Sequence, residues 1–174
     1  MGPDAVRDRV RSTLVQASKA RVPRPVFVHC DTFRAITAGT DFTCGLTTAS
    51  ALACWGFNHV GQHGTGTPSA ERTVPMPAPA GGTFASISAG TTHVCGVREG
   101  GEALCWGGNW FGGLGRGRST AADYDDGTEG RPLPVKTSER FRSVSPGGSH
   151  TCGVALDGRV WCWGDKARRQ LGAG

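Results

Sequence analysis

The sequence predicts an all-β protein built from three copies of one unit, and three observations carry that prediction. The first is recurrence. Phe33, Phe84 and Phe141 each open a stretch reading Phe-x-x-Ile/Val-Ser/Thr-Ala/Pro-Gly, then an aromatic residue or His, x-Cys-Gly-Leu/Val, Cys-Trp-Gly and a Gly-rich close. These openers lie 51 and 57 residues apart, a period that belongs to repeat architectures. The second is composition: 28 glycines, 10 prolines and a single Tyr among 174 residues describe many tight turns and short strands rather than helices. The third is cysteine spacing, with Cys44 and Cys54, Cys95 and Cys105, and Cys152 and Cys162 each ten residues apart and Cys30 left over.

Taken in order, residues Met1 to Ala20 form a basic tail or a short amphipathic helix, since Val6, Val10, Leu14 and Ala17 recur at helical spacing. The three copies then occupy about 33–66, 84–117 and 141–174. Arg21-Val-Pro-Arg-Pro-Val, Arg72-Thr-Val-Pro-Met-Pro and Arg131-Pro-Leu-Pro-Val each stand ten to twelve residues ahead of an opening Phe. Their prolines confine them to edge strands or connectors. FRAITAG, FASISAG and FRSVSPG read as strands ended by Gly.

The next two segments of each copy form a hairpin whose register follows from its turn. Asp157-Gly158 suits a type I turn closed by a left-handed Gly and a bulge. That turn pairs Ala155 with Arg159 and sets Cys152 opposite Cys162 in a non-hydrogen-bonded pair, where side chains come closest and a disulfide is geometrically plausible. In the first copy the same register places Phe42, Cys44, Leu46, Leu52 and Cys54 on one face and Thr43, Gly45, Ala53 and Trp55 on the other. Both faces are apolar or small, the signature of strands covered on two sides. Trp55, Trp106 and Trp163 each stand beside a Gly or small residue that leaves room for an indole, and they are read as packing between neighbouring units.

Asn58 with Gly61 and Asn109 with Gly112 suit turns that need positive φ. Lys166 and Arg169 replace them in the third copy, so its turn is expected to be looser or differently shaped. The longer second spacing falls in 116–134, expected as a polar loop clear of the repeat body.

The net charge of +5 comes from basic residues gathered in Arg7 to Arg24 and Lys166 to Arg169, which read as solvated segments and not as a nucleic-acid site. The cysteine pairs read as a disulfide framework and an oxidising compartment, extracellular or at the cell surface. Met1 to Ala20 lacks the apolar core of a signal peptide, and no transmembrane run occurs, which excludes helical membrane insertion. The chain is therefore expected to be a fragment or mis-started version of an exported protein, the alternative being a cytoplasmic protein with reduced thiols.

The unit AG-x-x-H/F-x-CGL/V…CWG-x-N-x-x-G-x-LG-x-G resembles the repeat of the regulator of chromosome condensation, the RCC1 repeat, and looks most like its cysteine-paired form in exported bacterial proteins and plant receptor ectodomains. The resemblance covers Arg21 to Gly174. It implies a β-propeller in which each repeat makes a four-stranded blade of a ring that generally has seven. Three blades make an incomplete or open arc whose end faces stay uncovered, so self-association is expected, or else further blades outside this reading frame. The family includes an exchange factor for a small GTPase, chromatin-binding proteins, receptor ectodomains and an enzyme inhibitor. What matches here is the blade scaffold, so no activity-specific residue carries over.

Catalytic and cofactor chemistry finds no support. Cysteines ten residues apart across a hairpin do not make the Cys-x-x-Cys knuckle of a zinc site, even with His93 or His150 nearby. Asp123 to Glu129 does not match a calcium loop. His29, His59 and His63 face no nucleophile or carboxylate at a telling spacing. Cys30 is free, paired elsewhere or available for an intermolecular bridge. The reading is a non-catalytic protein-binding module with no metal, no cofactor and an unidentified protein partner. Exchange-factor activity and a structural or adhesion role are the alternatives.

Overall fold

The chain divides into two units, Met1–Cys30 and Asp31–Gly174. In the computed structural model the described residues are 32–66, 68–69, 71–77, 82–117 and 129–172, all in the second unit. The tail expected at 1–20, the Pro-rich stretch from Arg21, Cys30 and the acidic segment from Asp123 through Thr128 lie outside them.

Three antiparallel sheets make up the described residues. The first runs β1 (Phe33–Ala38), β2 (Phe42–Thr47), β3 (Leu52–Gly56) and β4 (Arg72–Pro77), the second β5 (Ser86–Ala89), β6 (His93–Val97), β7 (Ala103–Gly107) and β8 (Glu129–Pro134). The third has three strands, β9 (Phe141–Pro146), β10 (His150–Ala155) and β11 (Val160–Gly164). Within each sheet sequence neighbours pair in order, and the sheets do not close into a ring. The sheets stack in sequence order, with β1 beside β5 and β5 beside β9. Each is one blade.

The three central hairpins share one turn, and the reason is local. Ser50 N–H, Gly101 N–H and Gly158 N–H donate to the carbonyls of Thr47, Arg98 and Ala155 at 2.8, 2.8 and 2.9 Å. The residues closing these turns have φ of 62°, 79° and 90°, so Ser50 adopts the left-handed conformation for which the other copies use Gly. The result is Cys44 opposite Cys54, Cys95 opposite Cys105 and Cys152 opposite Cys162. All three pairs sit at disulfide-bonding distance with Cα atoms 4.1 Å apart.

Part of the stretch expected to loop clear of the body belongs to it. Residues 129–134 form β8, the edge strand of the second blade, with Leu104 paired to Pro134 and Cys105 to Leu133. An edge position tolerates its prolines, because the missing N–H groups face away from the ladder.

The core lies between blades. Phe42, Cys44, Leu46, Leu52 and Cys54 of the first blade form one buried cluster with Phe84, Val94, Leu104 and Trp106 of the second. The second blade's Cys95, Val97, Ala103 and Cys105 form another with Leu114, Val135, Phe141 and Val144. Each blade thus lays its cysteine-bearing face on the Phe/Trp-bearing face of the next.

Candidate functional site

The opening Phe of each copy determines how a blade presents its second face. A methyl group at Gly96 would lie 2.5 Å from the Phe84 ring and one at Gly153 2.7 Å from the Phe141 ring, and Gly45 meets the Phe33 ring in the same way. The room beside the Cys-Gly glycine is therefore taken by Phe, not by the indole assigned to it from the sequence. Trp55, Trp106 and Trp163 instead lie against those Phe rings, with centroids 6.1, 5.6 and 5.8 Å apart, and directly opposite Thr43, Val94 and Thr151. Equal spacing in the sequence carried this signal, since Phe33, Phe84 and Phe141 each precede their glycine by twelve residues.

Two of the tryptophans reach across a junction. Trp106 Nε1 donates to the carbonyl of Gln62 and Trp163 Nε1 to that of Gly113, each at 2.9 Å. The acceptors are equivalent positions in the Gly-rich loop of the preceding blade. The loop is held by its Asn: Asn58 Oδ1 accepts from His63 N–H at 2.8 Å, and Asn109 Oδ1 accepts from Leu114 N–H at 3.1 Å. In the third blade the loop keeps its shape, against the expectation of a looser turn. Arg169 N–H donates to Lys166 O at 2.9 Å as Gly112 N–H donates to Asn109 O at 3.2 Å, and Arg169 takes φ 60° where Gly112 has 78°. Gln170 Oε1 accepts from Arg168 N–H, so a side chain two residues ahead supports the turn, as Gln62 does for Val60. The left-handed conformation costs a non-glycine residue about 1–2 kcal/mol, which the flanking hydrogen bonds offset.

The slot filled by Phe42 in the first blade holds His93 in the second and His150 in the third. His93 is buried, and its Nε2 lies 3.0 Å from Thr151 Oγ1 of the next blade. Because the Thr151 hydroxyl donates its proton to Gly113 O at 2.9 Å, it accepts from His93, which makes His93 the Nε2–H tautomer. Nδ1 has no partner. Burial first, and then the nearby His150, lower its pKa from 6.5 to about 4.

Among the described residues, the third blade has one face and one edge open. Cys44, Cys54, Cys95 and Cys105 have no exposed surface, whereas Cys152 and Cys162 are half-buried and Val160 is 68% exposed. Beside β11 runs a groove of about 440 Å³ lined by Phe111, Gly115, Gly117, Val135, Trp161 and Trp163. In the second blade the corresponding strip is occupied by β8: Gly66 N–H donates to Gly130 O at 2.6 Å, and Pro132 packs over Gly64. Gly115 and Gly117 occupy the places of Gly64 and Gly66. Near the groove, Arg159 lies 5.5 Å above the Trp161 ring and pairs with Asp157 at 2.6 Å and Glu139 at 3.2 Å. The Arg159 backbone N–H, then its guanidinium, hold the Asp157 carboxyl below its ordinary pKa.

Among the described residues, no group of three or more His, Cys, Asp or Glu could hold a metal ion. His59 stacks on Phe57 at 4.3 Å, and His63 is buried where the other copies have Leu114 and Leu171. No described helix is long and apolar enough to cross a membrane.

With this geometry in view, the profile of the Regulator of chromosome condensation (RCC1) repeat matches residues 33–62, 84–112 and 141–170, one stretch in each blade. The chain belongs to the RCC1 repeat family. It is 30% identical over 155 residues to the human Probable E3 ubiquitin-protein ligase HERC4, covering 87% of this chain and 14% of that protein. To the mouse Regulator of chromosome condensation it is 35% identical over 109 residues, 63% of this chain and 25% of the relative. Yeast RCC1 (Prp20), solved bound to Kap60, superposes with a TM-score of 0.69 at 25% identity, over 82% of this chain and 34% of that one. This chain thus spans well under half of each.

Proposed function

We propose that this RCC1 repeat chain is a non-catalytic protein-binding module that presents its third-blade edge and adjoining loops to a protein partner, in an exported setting. The observation that carries the reading is where apolar surface remains exposed. Among the described residues six large hydrophobic side chains are exposed, and four of them, Phe111, Leu156, Val160 and Trp161 at 55%, 56%, 68% and 39%, belong to the third blade or the loop packed beside it, the other two being Ile36 and Leu133. Clustered exposed aromatic and aliphatic side chains with an Arg stacked on one of them have the composition of a protein interface. Phe111 is also held at φ 54°, a conformation that bulky residues seldom adopt.

The exported setting is supported by the three cysteine pairs. Protein purified without reductant should show one reactive thiol among its seven cysteines, and seven reactive thiols would return the chain to a reducing compartment. Binding is tested by chemical cross-linking of the oxidised chain in its native extract. A partner recovered by the wild type should be lost from Phe111→Ser with Trp161→Ser, with the thermal unfolding transition retained, and capture that ignores both substitutions would overturn the assignment. Membership of the RCC1 repeat family, which includes an exchange factor, carries a second reading, exchange-factor activity on a small GTPase. Accelerated nucleotide release from a GTPase by the purified chain would establish it.

A further inference from the structure

We propose that the open face and edge of the third blade dock the first blade of a second copy of this chain, head to tail. The inference rests on the reading of the third blade as a protein-binding surface and names its partner. Both existing junctions lay a cysteine face on a Phe/Trp face, and the described residues leave one of each uncovered. Phe33 and Trp55 of the first blade are half-buried, whereas their equivalents Phe84 and Trp106 are 1% and 0% exposed. What the third blade lacks is what the first blade offers.

The match extends to individual side chains. His150 stands where His93 stands, and His93 needs a hydroxyl from the facing blade. The first blade supplies one in Thr43, at the position of Thr151, whereas the second blade has Val94 there and would leave the imidazole unpaired. Thr43 Oγ1 can then accept from His150 and donate to Gln170 O, as Thr151 does between His93 and Gly113. Gln170 O also occupies the position of Gln62 O, which accepts the Trp106 indole, and Trp55 is the matching donor.

Two further contacts of the first junction recur. Arg34 donates to the carbonyls of Phe84 and Ala85. Exposed Arg142 is its equivalent, and its targets would be the carbonyls of Phe33 and Arg34. Thr37 Oγ1 accepts from Ala89 N–H at 2.9 Å. Ser145 is its equivalent and Ala38 has the required N–H, which Pro146 lacks at the second junction. The docking face of the third blade thus carries partners for a blade with the side chains of the first.

The groove along β11 points to the same occupant. Each complete blade takes its fourth strand from the chain just ahead of the next blade's opener: β4 begins twelve residues before Phe84, and β8 twelve before Phe141. Arg21 stands twelve residues before Phe33 and opens Arg21-Val-Pro-Arg-Pro-Val, a Pro-x-Pro segment like β4 and β8. Gly117 N–H, beside the open β11 edge, is placed as Gly66 N–H is for Gly130 O, so that edge is set to receive a strand of this kind. Such an interface joins different surfaces of the two copies and is therefore heterologous.

Sedimentation velocity on the oxidised 174-residue chain tests this directly. The wild type should self-associate with rising concentration, Thr43→Arg and Val160→Arg should each remain monomeric, and an equimolar mixture of the two variants should form a one-to-one complex, because each retains the surface the other has lost. A self-complementary dimer through one patch would give no complex in the mixture and would overturn the proposal, as would a wild type that stays monomeric. His150→Phe alone should weaken association about tenfold, and adding Thr43→Val, which recreates the Phe42/Val94 pairing, should restore it. Association indifferent to His150 sinks the register. If the chain is monomeric yet still loses an outside partner on Phe111→Ser with Trp161→Ser, the protein-binding reading stands and only this inference fails.

Discussion

The two blade junctions share one backbone plan and fill its central slot with opposite chemistries. Between the first and second blades the slot holds Phe42 in an apolar cluster with Val94; between the second and third it holds His93, bonded to Thr151 and through it to Gly113. A ring of similar breadth satisfies the packing in both cases. The difference is that an imidazole brings a proton equilibrium into the junction, and a phenyl ring does not.

Trp106 and Trp55 set the limits of that comparison, one in a closed junction and one on an open face. Trp106→Ala removes a fully buried indole and its bond to Gln62 O, and should cost about 4 kcal/mol in urea unfolding of the oxidised chain. Trp55→Ala should cost about half as much, since part of that indole is already in water. Equal losses would mean that the first blade's outer face is covered in solution, as head-to-tail docking requires.

Acid should separate the junctions next. Because burial lowers the His93 pKa from 6.5 to about 4, the unfolded chain binds the proton more readily than the folded one. Stability is therefore complete above about pH 6.5 and falls as pH drops toward about 4, by about 3 kcal/mol in all. Denaturation midpoints measured across that range read the slope, and His93→Phe with Thr151→Val, which copies the first junction into the second, should flatten it.

Gly96→Ala tests the packing common to both junctions. Its methyl group would lie 2.5 Å from the Phe84 ring, and thermal unfolding should show a loss of about 2 kcal/mol. Gly100→Ala, where an added methyl meets nothing within 4 Å, is the control and should be near neutral. The smallest effect concerns the loop that serves neither described junction. Arg169→Gly relieves the left-handed conformation at φ 60° and should stabilise the third blade by up to about 1 kcal/mol, read in the same melts. A loss instead would show that the Arg169 side chain makes a compensating contact.

Much of the fold was legible because the information is local. The Asp157-Gly158 turn dictates which residues face each other up to ten positions apart, so the Cys152/Cys162 register followed from turn chemistry alone. The same reasoning misplaced the indoles, because a glycine reports that something approaches closely and not which ring does so. The prolines of Arg131-Pro-Leu-Pro-Val pointed to an edge strand or connector, while the longer spacing put the same residues in a loop over 116–134; pairing with β7 makes 129–134 the edge strand. For the third loop, replacing Asn and Gly by Lys166 and Arg169 pointed to a different turn, yet hydrogen bonds accepted by Gln170 Oε1 and Lys166 O hold the same one.

By itself the sequence determined the repeat, the hairpin register, the cysteine pairing and the family, all of which depend on residues within one period of about fifty. The tertiary structure decided what lies between the copies: that Gln62 and Gly113 present carbonyls to Trp106 and Trp163, that His93 and Thr151 share a hydrogen bond, and that the described residues give the third blade three strands and leave a groove beside β11. Those contacts join atoms 44 to 58 residues apart. Their geometry is set by how one sheet stacks on the next, and no local pattern of residue types encodes that.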